Sequence, residues 1–162
     1  MSGFCGIDPG LCGAIAFLQP DSTFQQVLDL PIIRDGRLAW VDGGVLQSLL
    51  IDSQPDVVIV ERVSAMPRQG VASSFNFGVG LGSILGLIQA RELRLELVTA
   101  RVWKRDLKLS SDKHASLDKA RLLYPGAELL RKKDEGRAEA LLLAYWGWRR
   151  QLAHVLGAQE LA

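Results

Sequence analysis

The sequence predicts an α/β domain built on a five-stranded mixed sheet with helices on both faces. Three observations lead there. The first thirty residues hold three short apolar runs, at 3–8, 12–18 and 23–30, with tight links that suit an antiparallel meander. The run Asp56-Val-Val-Ile-Val-Glu61 is continuous and β-branched, as expected of a strand covered on both faces. Val45, Leu46, Leu49 and Leu50 ahead of it have helical spacing, so this fourth strand arrives by a crossover and lies parallel to the first.

The elements follow in order. The first strand runs into Ile7-Asp8-Pro9-Gly10, a strand end with a Pro-Gly turn. Leu30-Pro31 closes the meander, and a helix is expected over residues 41–53, stopped by Pro55. After the fourth strand, 62–70 reads as a loop containing Pro67 and Gly70. Residues 71–91 read as a helix despite Gly78, Gly80, Gly82 and Gly86, each of which costs about 1 kcal/mol relative to alanine. Repeated glycines in a helix suggest close approach of another backbone. A fifth strand is expected at 93–99 and a short helix at 102–107. Another helix, capped by Ser111 or Asp112, ends at Tyr124-Pro125. Asp134 and Glu135 open a last helix that runs to about Arg150, acids suited to the positive end of its dipole.

The chain of 162 residues suits one domain over 1–162, with no repeat or linker. No charged region precedes an apolar one at the N-terminus, and no apolar run stands out as a membrane span, so an intracellular protein is expected. Cys5 and Cys12 lack the partners of a zinc site and read as buried free thiols. Net charge is +1, but the bases are unevenly placed. Up to Val60 there are only Arg34 and Arg37, whereas 101–133 holds ten, a segment able to neutralise phosphates or to form a solvated helical surface.

The acids carry the chemistry. Asp8 ends the first strand and Glu61 the fourth, so neighbouring parallel strands deliver both to one sheet edge, where ligands bind in such sheets. Glu135 and Glu139 are four apart and share a helix face, with Asp134 at the helix start. Clustered carboxylates repel unless a cation sits between them. Hard oxygen donors suit Mg²⁺, and two such ions activate water and stabilise a leaving oxygen in phosphodiester hydrolysis. Taken singly, Asp8 fits a turn cap, Glu61 a partner of Arg62 or Arg68, and Glu139 an exposed salt bridge.

Several segments resemble the RuvC-type Holliday-junction resolvases, nucleases of the RNase H-like fold, whose element order this is. Gly6-Ile-Asp8-Pro-Gly10 with Gly13-Ala-Ile-Ala is similar to their first-strand motif, and Val58-Ile-Val-Glu61-Arg-Val to the second. Met66-Pro-Arg-Gln-Gly-Val-Ala-Ser-Ser-Phe-Asn-Phe-Gly78 resembles the start of their dimer helix, and Val98-Thr-Ala-Arg-Val-Trp103-Lys the exit of the fifth strand. Lys133-Asp134-Glu135-Gly-Arg-Ala-Glu139-Ala-Leu-Leu-Leu-Ala144 resembles the acidic helix of the phage and plastid branch.

The resemblance implies a structure-selective endodeoxyribonuclease that resolves four-way DNA junctions as a symmetric dimer through the helix at 75–89. It implies two Mg²⁺ ions per site, with Mn²⁺ able to substitute, held by Asp8, Glu61 and Glu139. The fourth position departs from the family. Bacterial members carry Asp or His where this chain has Gly136; the other branch, often with His, points to Glu135, with Asp134 as a further candidate. Arg68 and Gln69 in the loop after Glu61, Phe75 or Phe77 by stacking, and Lys104, Arg105, Lys108, Lys113 and Lys119 are the expected DNA contacts. Trp103, Trp146 and Trp148 read as packing residues, and His114 as a surface or phosphate-facing group. The compartment expected is the cytoplasm of a bacterial or phage-infected cell. Other readings of the same acids are an inactive DNA-binding module and an RNA-directed nuclease.

Overall fold

The computed structural model describes the backbone of residues 3–63, 70–112 and 114–159. Its main sheet has the order β3-β2-β1-β6-β7, from β1 (Phe4–Asp8), β2 (Ala14–Leu18), β3 (Phe24–Asp29), β6 (Val57–Glu61) and β7 (Arg94–Val98). β1, β2 and β3 pair antiparallel, while β6 lies parallel to β1 and β7 parallel to β6. This is the five-stranded mixed sheet expected from the sequence.

The strand period of two sorts side chains between two cores. Phe4, Ala14, Ala16, Leu18, Val57 and Ile59 face α5 (Glu135–Gln159), with α3 (Ala100–Asp106) and α4 (Ala115–Leu123) completing that layer. Cys5, Ile7, Ile15, Phe17, Val58 and Val60 face α1 (Gly43–Ser53) and α2 (Val71–Ala90), meeting Leu46, Leu50, Ile84 and Ile88. Helix α5 lies directly on β1. A Cβ on Gly6 would overlap the carbonyl oxygen of Ala140 and stand 2.6 Å from the amide nitrogen of Ala144, so glycine is what lets helix and strand approach.

Four details differ from the sequence expectations. Residues 31–41, expected as connection and helix start, form a hairpin of β4 (Ile32–Asp35) and β5 (Leu38–Val41). Asp35 pairs with Leu38, so the two-residue turn is Gly36-Arg37, and its signal was the glycine between apolar runs; Gly36 takes the positive φ of the turn at 57°. Asp42 then caps α1 by accepting from Gly44 N at 3.0 Å and Val45 N at 3.1 Å. Cys12 is exposed rather than buried, because it lies on the turn between β1 and β2. The last helix continues past Arg150 to Gln159.

Fourth, α2 is apolar enough to be long for a membrane span after all: 20 residues without a charge, of mean hydropathy 1.6 in its most apolar window. It is nonetheless one layer of the domain, with Gly80, Ile84 and Ile88 buried and Asn76 Nδ2 donating to Arg37 O of the hairpin at 3.1 Å. Its outer side exposes Val71 (88 %), Phe75 (63 %) and Val79, with Gly78, Gly82 and Gly86 open to space.

Candidate active site

The same alternation that builds the two cores places the acids. In β6 the odd residues Val57 and Ile59 face α5, so Glu61 does too. In β1, Phe4 and Gly6 face α5, so Asp8 does. Register pairs Ile7 with Val60, which makes Asp8 and Glu61 the next residues on adjacent parallel strands. Helix α5 starts over this edge. A Cβ at Gly136 would lie 3.2 Å from Asp8 Oδ2, so the Asp8 carboxylate sits against the first turn of α5. Glu139 is one turn further along.

Two of the carboxylates are held by short hydrogen bonds. Glu61, 8 % exposed, accepts from Trp103 Nε1 at Oε2, 2.8 Å away. Topology makes that contact possible: Arg62 N donates to Val98 O at the end of β7, and α3 begins two residues later at Ala100. Lys104, the next residue, donates from Nζ to Glu139 Oε1 at 2.6 Å, and Ser116 Oγ reaches the same oxygen at 3.4 Å. Among the described residues, Glu135 Oε1 is shielded from solvent and accepts no hydrogen bond, while His114 Nδ1 stands 3.3 Å away as an ion-pair partner when protonated. Asp8 Oδ1 makes a long contact with Gly10 N at 3.4 Å, the turn-capping role open to it from the sequence.

Asp8 and Glu61 both feel the charge of Glu139. Burial pushes the Asp8 carboxyl up to about 7, and the charges of Glu139 and Glu61 push the same way against Gly10 N–H and Lys104. Burial also raises Glu61; the Trp103 hydrogen bond opposes it, Glu139 adds to it, and Lys104 opposes it. Of the described residues, Lys104 is the one ammonium among these carboxylates, so the cluster is short of positive charge, which a divalent cation would supply. The donors fit: all are hard carboxylate oxygens, and Glu135 Oε1 is a shielded acceptor that takes no hydrogen bond among the described residues. Among the described residues no three acids close on one point as a finished metal cage. Glu61, Glu139 and Glu135 instead lean towards Trp103, Lys104 and His114.

The other expected site residues divide. Asp134 is 2 % exposed, and both its oxygens are engaged by Arg131: Oδ2 by the backbone N–H at 2.7 Å, Oδ1 by Nε at 2.9 Å. Burial raises its carboxyl, but the hydrogen bonds and charge of Arg131 and the charge of Arg137 outweigh this and hold it below its usual value. Lys104 stands inside the acidic cluster. Arg105 is turned to Asp106, Lys108 is exposed beyond α3, and Lys119 is half-buried on α4. Phe75 is exposed and Phe77 half-buried, so Phe75 is the one free to stack. Arg68, Gln69 and Lys113 lie outside the described residues. The residue that sequence reasoning missed is Trp103, taken as packing. It is fully buried as packing requires, yet its one polar atom meets Glu61. Its place in Val-Trp103-Lys104 after the fifth strand was the available signal.

No protein-family model matches the chain. Over 103 residues, 61 % of the chain, it is 38 % identical to the chloroplastic Holliday junction resolvase MOC1 of Chlamydomonas reinhardtii, and it spans 12 % of that protein's length. In structure it is similar to Thermus thermophilus RuvC in complex with a Holliday junction substrate (TM-score 0.62, 17 % identity, 91 % of this chain and 94 % of that one). It is also similar to the yeast mitochondrial Holliday junction resolvase Ydc2 (TM-score 0.57, 18 % identity, 94 % and 82 %). The fold is therefore RuvC-like, an RNase H-like fold.

Proposed function

We propose that this chain is a metal-dependent endodeoxyribonuclease that resolves four-way DNA junctions as a two-fold dimer. The observation that carries the reading is the meeting of Asp8, Glu61 and Glu139 at one sheet edge, where the charge of Glu139 raises the carboxyls of both Asp8 and Glu61, in a chain with the RuvC fold. We assign Asp8, Glu61, Glu139 and Glu135 as the residues that hold two divalent cations, Mg²⁺ or Mn²⁺, and leave Asp134 as a structural partner of Arg131. When bound, such cations supply water activation and charge neutralisation at the leaving oxygen.

The protein's own groups set the stage for that chemistry. Asp8 and Glu61 come from rigid strands, so their separation is fixed by the sheet. Lys104 brings a mobile ammonium to the same edge, suited to a phosphate oxygen once Glu139 turns to a cation. Phe75, Arg105, Lys108 and Lys119, with Arg68, Gln69 and Lys113, are proposed as the wider DNA surface. The apolar outer side of α2 is proposed as the dimer face, which brings two sites to opposed strands of a near two-fold substrate. MOC1 is chloroplastic, which sets an organelle beside the bacterial or phage-infected cytoplasm as a compartment for such work.

The test is cleavage of a mobile four-way junction, a Y-fork, linear duplex and an RNA–DNA hybrid, with Mg²⁺ or EDTA. Symmetric nicking of the junction alone, abolished by EDTA and by Asp8→Asn or Glu61→Gln, is the expected result. Cleavage confined to the hybrid would support the RNA-directed reading. Tight junction binding without cleavage under Mg²⁺ or Mn²⁺ would support the inactive binding module.

A further inference from the structure

Beside the proposed metal site stands one buried polar group whose role the acids do not explain. The Trp103 side chain is fully buried in the core beneath α5. An indole N–H is donor only, and a buried donor needs a partner. Its partner is not a backbone carbonyl but Glu61 Oε2, at 2.8 Å. Trp146 serves as an internal comparison. It too is buried and donates from Nε1, at 3.0 Å, but to Asp106, an exposed carboxylate away from the acidic edge.

We propose that Trp103 is a positioning residue for Glu61: its N–H fixes Oε2, so that Oε1 is the oxygen presented to a divalent cation. The inference deepens the proposed metal-dependent reading and rests on it. Three features support it. Glu61 sits at the rigid end of a central strand, so one hydrogen bond suffices to set its remaining rotation. A donor-only partner favours the ionised carboxylate that a cation needs. The following residue, Lys104, lies over the Trp103 ring at 5.1 Å from its centroid while reaching Glu139, so a single turn of α3 touches two of the acids.

The experiment compares Trp103→Phe with the control Trp146→Phe. Mn²⁺ binding is measured by calorimetry without DNA, and junction binding in EDTA. Trp103→Phe is expected to weaken Mn²⁺ binding about tenfold, about 1.4 kcal/mol. Trp146→Phe is expected to stay within about twofold, with junction binding intact in both. The second measurement uses the unsubstituted chain carrying 5-fluorotryptophan. Its Trp103 fluorine resonance is expected to move on adding Mg²⁺, while that of Trp146 stays. Equal metal affinity of the two variants, or a Trp103 resonance indifferent to Mg²⁺, overturns the proposal. If Trp103→Phe does not fold, the fluorine spectrum decides, with resonances assigned from substitutions at Trp40, Trp146 and Trp148. A chain whose Trp103 responds to Mg²⁺ but which leaves junctions uncut would defeat the substrate reading and keep this one.

Discussion

Lys104 Nζ stands 2.6 Å from Glu139 Oε1, and its charge is felt by Asp8 and Glu61 as well. An ammonium thus partly neutralises the cluster in which cations are proposed to bind. The two compete for Glu139. Lys104→Met is expected to tighten divalent binding by the DNA-free protein several-fold, since a like charge is removed, and to slow junction cleavage, since a phosphate partner is lost. Calorimetry and cleavage rates check the two halves. Weaker metal binding in the variant would mean that Lys104 organises Glu139 rather than competing for it.

Asp8 gives the site a pH dependence with a definite sign. Its carboxyl is raised from the ordinary 3.8 to about 7, so the folded chain binds more protons than the unfolded one between those values. Metal-free stability therefore falls as pH rises through that window, and the penalty is complete above about 7. Asp8→Asn is expected to melt close to wild type near pH 4 and above it at pH 8. Saturating Mg²⁺ should close the gap at pH 8. Thermal melts of both proteins across pH 4–8 test this; a constant difference would show that burial does not hold Asp8 protonated.

Asp134 has the opposite sign. Its carboxyl is held below the usual range, so it stabilises the fold above about pH 4, and that contribution is lost as pH falls through its lowered value. Asp134→Asn removes a charge-assisted contact with a half-exposed arginine, at a cost of about 1–2 kcal/mol at pH 7. Cleavage at saturating Mg²⁺ and its metal requirement are expected to stay. A dead but stably folded variant would return Asp134 to the ligand set.

The fold and the acids were legible because both rest on periodicity. The β-branched run 57–60 and the meander before it fix the strands, and the period of two sends Asp8 and Glu61 to one face. The hairpin at 32–41 was missed because helical spacing further on drew residue 41 into α1, although Gly36 marked the turn. Trp103 and Arg131 were opaque for another reason. A sequence shows that an indole will be buried and that an arginine is charged, but which carboxylate each meets is decided by packing between elements far apart in the chain, or by how one turn closes.

The outer side of α2 offers a test of assembly. Gly82 faces open space: a Cβ there meets nothing within 4 Å among the described residues. Gly82→Leu is expected to leave the melting temperature of the protomer fold nearly unchanged, yet weaken a dimer in which backbones approach closely at α2. Sedimentation equilibrium at micromolar concentration checks it. A fully active wild-type monomer under those conditions would remove α2 from the assembly.

Gly136 marks a close contact between the start of α5 and the turn after β1. A Cβ at 136 would stand 2.6 Å from the carbonyl oxygen of Cys12 and 3.2 Å from Asp8 Oδ2. The first of these is backbone and cannot swing away, so any side chain at 136 must push the start of α5 off the turn between β1 and β2. The position three residues before Glu139 is therefore closed to a ligand in this chain. Glu135, one residue earlier, has its Oε1 shielded but not bonded. Gly136→Ala is expected to cost about 1–3 kcal/mol as overpacking and, because it shifts Glu139 relative to Asp8, to cut cleavage more than stability. Glu135→His, which keeps a metal-binding group and leaves Gly136 alone, is expected to retain activity, whereas Glu139→Gln is expected to lose it. The measurement is junction cleavage by all three across a Mg²⁺ and Mn²⁺ titration, beside their thermal melts. A Gly136→Ala protein with wild-type cleavage would show that the helix start yields without disturbing the acids, and the argument for Glu135 from the closure of 136 would fall with it.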